Sequence, residues 1–167
     1  MQESQTRQPT MGQNSEQKRG AQAWKNIFAI KNDKNNADKK LEKEYRSLAR
    51  GLNAMIQING LGQTLGFFKA KGKRDEKKPH YQLLLHLTEW MRDPTHFKAP
   101  NSKVMESGYD GLLSWVLDSG TTSDDYRRAT TECLAFGVWL RRFAEGELQE
   151  AEPSATDTST PKQEEKS

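Results

Sequence analysis

The segment from Ser123 to Glu145, near the end of the chain, has the spacing of a long amphipathic helix. Small and apolar side chains recur there every three or four positions over about five turns, and Ser123 is predicted to cap the start. The residues on this stripe are Tyr126, Ala129, Thr130, Cys133, Phe136, Gly137, Leu140, Phe143 and Ala144. The opposite face carries Arg127, Arg128, Glu132, Arg141, Arg142 and Glu145. So wide a stripe has to be buried against other elements, which predicts a fold made of packed helices.

The same spacing predicts four further helices, and strand-type alternation is almost absent. These helices are predicted at about residues 15–30, 38–71, 79–92 and 102–119. The second contains Gly60, Gly62 and Gly66. Each lowers helix propensity by roughly 1 kcal/mol relative to alanine, and such glycines indicate close packing or a kink. The predicted fold class is all-α, a compact bundle of about five helices joined by short polar loops.

The aromatic residues are confined to the middle of the chain, between Trp24 and Phe143. The polar ends cannot bury enough surface to offset chain entropy. Residues 1–14 are therefore predicted to be a disordered extension, residues 15–148 one helical domain, and residues 149–167 a disordered acidic tail. Residues 16–147 contain 23 Lys+Arg and 17 Asp+Glu, a net charge of +6, so the folded part is basic.

Composition excludes several classes of protein. No apolar run is long enough to cross a membrane, and the first 20 residues lack the apolar middle of a secretory signal. The single cysteine, Cys133, cannot form an internal disulfide, and three scattered histidines are too few to complete a zinc cluster with it. We therefore expect a protein of the reducing cytoplasm, with no membrane partner, cofactor or metal.

No combination of residues supports catalysis. Gly60 and Gly62 begin a glycine pattern like a dinucleotide fingerprint, but the third glycine is one position late and no strand precedes it. His86 and Glu89 are three residues apart, and a metal site in a bundle would need ligands on another helix, so a structural histidine is predicted. Cys133 lies on the buried stripe without a neighbouring base, and no catalytic residue is predicted.

Basic residues are the strongest functional signal. Residues 69–78, KAKGKRDEKK, carry six positive and two negative charges. Arg50 precedes them on the same predicted helix, and Arg141 and Arg142 lie on the outward face of the last helix. If these faces adjoin, they form a stripe suited to a phosphate backbone. The residues alone leave a solvated basic loop as the alternative, and no aromatic residue within 69–78 supports base stacking.

Three segments together resemble the small α-helical subunit of the Cmr complex, the type III-B CRISPR effector. They are YRSLARGLNAMIQINGLGQTLGFFKAK at 45–71, HYQLLLHLTEWM at 80–91 and YRRATTECLAFGVWLRRFAEGEL at 126–148. The NGLGQ block, followed by the patterns YRxxTxE and WLxRFA, carries the resemblance. It covers about residues 16–148 and leaves the N-terminal extension and the acidic tail without a counterpart.

This resemblance implies a non-catalytic, architectural subunit of an antiviral ribonucleoprotein. Copies of it would stack beside the backbone and large subunits that hold the guide RNA, and its basic surface would line the channel for the target RNA. The candidate RNA-binding residues, from the basic run and the resemblance together, are Arg50, Lys69, Lys71, Lys73, Arg74, Arg141 and Arg142. The alternative is a pure protein–protein spacer whose basic residues contact acidic faces of neighbouring subunits. A small helical enzyme centred on His86 and Glu89 is a third hypothesis.

Overall fold

The computed structural model describes residues 12–153, which form helices joined by short loops. The elements are α1 (Ser15–Lys31), α2 (Lys40–Asn59), α3 (Leu61–Gly72), α4 (Pro79–Arg92), a 3-10 helix (Ser102–Ser107), α5 (Gly111–Leu117) and α6 (Ser123–Glu147). No strand occurs among these described residues, and the all-α prediction is confirmed. The predicted count of about five helices is wrong, because residues 12–153 contain seven with the 3-10 helix included. Residues 1–11 and 154–167 of the two predicted disordered ends lie outside the described residues.

The long helix predicted over 38–71 is two helices, and the break lies at Gly60. Its φ of +83° is in the left-handed region, which glycine adopts without the steric cost of a Cβ atom. The Gly60 N–H donates to the Ile56 carbonyl at 2.9 Å and thereby ends α2. The Gly60 carbonyl accepts the Thr64 hydroxyl at 2.8 Å in the first turn of α3. A single residue therefore terminates one helix and begins the next.

We call Gly60, Gly62 and Gly66 the glycine block. The close packing predicted there is confirmed for Gly62 but not for Gly66. The N–H of Gly62 donates to the Tyr126 hydroxyl of α6 at 3.0 Å, and a Cβ at Gly62 would lie 3.3 Å from Val116. A Cβ at Gly66 would meet nothing within 4 Å. The glycine block therefore contacts α5 and α6 only on the side that Gly62 faces.

Two other predicted helix boundaries are wrong. The segment 102–119 is divided at Gly108, whose φ of +143° ends the 3-10 helix before α5 begins. Thr122, not Ser123, caps α6, and its hydroxyl accepts the backbone N–H of Asp125 at 3.2 Å. The reason is that Thr122 has extended backbone torsions, whereas Ser123 is already inside the first helical turn.

The core lies between α6 and the helices around it. α6 packs against α1 and α2, while α4 packs against α2, α3 and α5. Trp90 of α4 stacks on Phe136 of α6 with ring centroids 4.7 Å apart. The predicted stripe is confirmed at its centre, where the buried residues of α6 are Ala129, Cys133, Phe136, Gly137, Leu140 and Ala144.

Glu132 does not lie on a solvated face, contrary to the prediction. Its carboxylate accepts two hydrogen bonds from the Arg19 guanidinium, both at 2.8 Å, and a third from Trp90 Nε1 at 2.9 Å. Burial alone would raise the pKa of Glu132, but the hydrogen bonds from Arg19 and Trp90 outweigh it and hold that pKa below its usual value. The Glu132 carboxylate thus links α1, α4 and α6.

Candidate nucleic-acid interface

The predicted basic run forms the end of α3 and the turn into α4; we call residues 69–78 the basic turn. α3 stops at Gly72, where a Cβ would lie only 2.9 Å from the Tyr81 backbone nitrogen, so α3 and α4 meet very closely. Lys73 and Arg74 follow with φ of +48° and +56°. Both side chains are exposed at the tip of the turn. The tight turn therefore presents two consecutive cations to solvent.

Lys69 and Lys71 stand on the same turn but differ in their surroundings. The Lys69 ammonium pairs with the Asp110 carboxylate at 2.7 Å and so ties α3 to the residue before α5. The Lys71 ammonium lies 6.0 Å from the centroid of the Phe67 ring. Burial, then the positive charge of Lys71, lowers the pKa of His80. Lys71 is therefore part of an electropositive surface, whereas the charge of Lys69 is largely neutralised.

Arg50, Arg141 and Arg142 form a separate group on α2 and α6. The Arg50 and Arg141 Nε atoms lie 3.2 and 3.3 Å from Glu145 Oε1, and Arg50 also pairs with Glu150 at 3.5 Å. Arg142 is exposed and, within residues 12–153, has no carboxylate oxygen within 4.0 Å. Two of these three arginines are therefore already paired with carboxylates of the same chain.

The two groups do not form one stripe through direct contacts. Across the described part of the chain, no hydrogen bond or ion pair joins the basic turn to the group on α2 and α6. Four of the seven predicted residues have no carboxylate partner within 4.0 Å among residues 12–153, and these are Lys71, Lys73, Arg74 and Arg142. Three of those four lie on the basic turn. The structure thus concentrates the available positive charge there.

A cleft of about 780 Å³ lies beside the basic turn, between α2 and the loop that precedes it. Its charged lining residues are Asp33, Asp38, Lys40, Glu44, Lys71, Asp75, Lys77 and Lys78. Leu48 and Met55 of α2 are only partly buried and line this cleft. Because four carboxylates and four ammonium groups are among these residues, the cleft has no uniform charge. A polyanion is better matched to the exposed tip of the turn than to the cleft interior.

The histidine and cysteine that could suggest chemistry are structural. His86 Nδ1 and the Tyr45 hydroxyl are hydrogen bonded at 2.7 Å in the core, which confirms the prediction of a structural histidine. Burial lowers the pKa of His86 to about 3 and raises the pKa of the Cys133 thiol. Glu89 is exposed and does not share the position of His86. Residues 12–153 contain no group of three or more metal-ligating side chains.

One further basic surface joins residues too far apart in sequence for their spacing to reveal it. Arg128 of α6 lies 5.0 Å from the Phe97 ring centroid and donates to the Lys98 carbonyl at 3.4 Å. Asp125 pairs with Arg128 at 3.1 Å, and Asp124 pairs with Arg127. These carboxylates reduce the charge that the surface offers to a polyanion. The only local signal in the sequence is the Arg127–Arg128 pair itself.

The fold defines a small all-helical protein that presents an exposed basic turn. Residues 15–147 match the family described as CRISPR-associated protein (Cas_Cmr5). The chain therefore belongs to this family, which is part of type III-B CRISPR systems, and the resemblance predicted from the sequence is confirmed. Membership makes it a subunit of the Cmr complex in CRISPR defence, with the other subunits of that complex as partners. None of the described helices is long and apolar enough to cross a membrane.

Proposed function

We propose that the chain is a non-catalytic structural subunit that lines the target-RNA channel of the Cmr ribonucleoprotein with its basic turn. It stacks in the complex with copies of itself and acts in the cytoplasm. The observation that carries the proposal is the exposed pair Lys73–Arg74, which has no carboxylate partner among residues 12–153 and stands beside Lys71. Unpaired cations on a projecting turn can approach phosphates without first breaking an ion pair.

The seven candidate residues are not equivalent in this proposal. Lys71, Lys73, Arg74 and Arg142 are available to phosphates directly. Arg50 must first leave Glu145 and Glu150, Arg141 must leave Glu145, and Lys69 must leave Asp110. An unpaired cation loses only bound water when it contacts a phosphate, whereas a paired one must also break an ion pair. The four unpaired residues should therefore dominate RNA binding, and the three paired residues should modulate it.

The decisive experiment compares two charge-matched double variants in the assembled complex. Lys73→Gln/Arg74→Gln should weaken binding of single-stranded target RNA by roughly tenfold near 0.15 M salt, since two phosphate contacts are lost. Lys34→Gln/Lys103→Gln removes the same charge from exposed positions elsewhere and should leave the affinity unchanged. Lys69 is left unchanged in both variants, because its loss would also break the ion pair with Asp110. A change in RNA affinity would then be mixed with a change in stability.

The result also distinguishes the RNA-lining role from that of a protein–protein spacer. If both double variants bind RNA like the wild type, and crosslinks from Lys73 reach only protein, the basic turn contacts a neighbouring subunit. RNA crosslinks from Lys71 or Lys73 in the assembled complex would support the proposal.

A further inference from the structure

A second surface, far from the basic turn in sequence, is aromatic and only partly covered. Trp24 and Phe28 of α1 meet Trp139 and Phe143 of α6 along the line where the two helices pack; we call these four residues the aromatic seam. Trp24 is 40% exposed and Phe28 is 37% exposed, and the other two are partly buried. Ring centroids are 4.8 Å apart for Trp24–Phe28, 5.1 Å for Trp24–Phe143 and 5.6 Å for Trp139–Phe143. The contacts make one continuous aromatic surface.

The fold does not require the exposed part of this surface. α1 is anchored through an adjacent face by Ala23 and Ile27, which are fully buried, and by the Arg19–Glu132 hydrogen bonds. Large aromatic side chains left partly in water are unfavourable for an isolated protein, but they are enriched at the centres of protein interfaces. The aromatic seam therefore has the character of a docking surface.

The charges around the seam indicate the kind of partner. Lys25 and Arg142 are exposed at its edges, and in the described part of the chain neither has a carboxylate oxygen within 4.0 Å. Lys31 is already paired with Glu147 at 2.8 Å. A second copy docked symmetrically through the same surface would bring these unpaired cations towards one another. Charge complementarity therefore favours a different chain, one that carries carboxylates next to its apolar contact.

The ring geometry favours a protein over RNA. Base stacking needs an open ring face that a base can cover in parallel. In the seam, Trp24 already contacts Phe28 at an interplanar angle of 41° and Phe143 at 78°. Tilted rings leave grooves between them, and aliphatic side chains fill such grooves better than flat bases do.

We propose that the aromatic seam docks another protein subunit of the Cmr complex, through a surface of apolar side chains flanked by carboxylates. The apolar side chains cover Trp24 and Phe28, and the carboxylates pair with Lys25 and Arg142. The inference rests on membership of a multi-subunit complex and not on RNA binding by the basic turn. It assigns assembly to the aromatic seam and RNA binding to the basic turn, and it gives Arg142, one of the seven candidate RNA-binding residues, to the assembly surface.

Co-purification of the complex through a tagged chain tests this assignment. Trp24→Gln/Phe28→Gln should reduce the recovered amount of the other protein subunits by roughly tenfold or more, as expected when two central aromatic contacts are lost. Ile58→Gln is the matched control, since Ile58 is 80% exposed on α2 and should be replaceable without loss of assembly. Lys73→Gln/Arg74→Gln should also assemble normally, so that failure of the RNA proposal is distinguishable from failure of this one.

Far-UV circular dichroism and thermal melting establish whether the aromatic double variant folds. If it does not, Lys25→Glu decides, because this side chain is exposed, is unpaired in the described residues and is not a candidate RNA contact; it should lower recovery several-fold. The proposal would be overturned if the folded variants recovered as much of the other subunits as the wild type does. It would also be overturned if Ile58→Gln lowered that recovery by the same factor. Subunit association that RNase abolishes would overturn it too, as would a dimer of the isolated chain that Trp24→Gln/Phe28→Gln dissociates.

Discussion

Gly60 shows how one backbone torsion shapes the molecule at the scale of a residue. Its φ of +83° separates α2 from α3, and any L-residue there is strained. Gly60→Ala should lower the free energy of unfolding by about 1–2 kcal/mol. Gly66→Ala is the matched control: its Cβ meets nothing within 4 Å inside a regular helix, so it should be neutral or stabilising by up to about 1 kcal/mol. Urea denaturation of both variants measures the difference, and equal destabilisation would contradict it.

The buried His86 makes stability depend on pH. Burial lowers the pKa of His86 from 6.5 to about 3, so below pH 6.5 the unfolded chain binds a proton that the folded chain does not. The stability associated with neutral His86 is therefore complete above pH 6.5 and is lost progressively as the pH falls towards 3. From about pH 7.5 to about pH 5, this group should reduce the free energy of unfolding by about 2 kcal/mol.

Urea denaturation of the wild type and of His86→Gln across this pH range isolates that contribution. The glutamine variant lacks the titrating ring but keeps the carboxylates, such as Glu132 and Asp93, which titrate at lower pH. Its free energy of unfolding should therefore fall less steeply with decreasing pH. Parallel curves for the two proteins would contradict this, because they would show that the histidine takes up its proton equally in the folded and unfolded states.

At the scale of elements, ion pairs between helices determine which arginines are available. Glu145 of α6 holds Arg50 of α2 and Arg141 of its own helix, at 3.2 and 3.3 Å. Exposed pairs of this kind contribute about 0–1 kcal/mol each. Glu145→Gln should therefore change stability by less than about 1 kcal/mol. It should strengthen the binding of single-stranded RNA by releasing Arg141 and by removing one of the two carboxylate partners of Arg50, which keeps Glu150.

Fluorescence anisotropy with a labelled single-stranded RNA, at low salt, measures this effect of Glu145. The control is Glu89→Gln, which removes the same charge from an exposed position on α4 that holds no arginine. Stronger binding by the Glu145 variant alone is expected. An equal gain from the two variants would mean that net charge, and not release of Arg50 and Arg141, sets the affinity.

At the scale of the whole molecule, the structure separates two surfaces. Among residues 12–153, five cations of the basic turn have no carboxylate partner within 4.0 Å, and three of them, Lys71, Lys73 and Arg74, are predicted RNA contacts. The aromatic seam lies on α1 and α6. Three contacts to a single strand predict a slope of about −2 for the logarithm of the RNA-binding constant against the logarithm of salt concentration. Titrations of the isolated chain at several salt concentrations measure the slope, and a value near zero would contradict binding through phosphates.

The sequence by itself determined the features that depend on local spacing. The stripe on α6, the helix at 79–92 and the exposure of Arg141 and Arg142 follow from helical periodicity, which neighbouring residues define. The glycine block signalled an interruption, but not that Gly60 ends α2 completely. The family could be recognised from the order of its motifs, because a motif is a pattern of residues along the chain and does not depend on how the helices pack. Residues close together in the sequence therefore predicted most of the helices and the cluster of positive charge at residues 69–78.

Only the tertiary structure decided which charges are neutralised and which apolar groups meet. Lys69 pairs with Asp110, and Arg19 with Glu132, across long separations in the chain. Helical periodicity assigned Glu132 to solvent, yet α1 and α4 cover it. The aromatic seam likewise requires α1 to lie along α6. Pairings of this kind depend on how helices pack in space, and the angle and register of that packing are set by the whole core rather than by the residues between the partners.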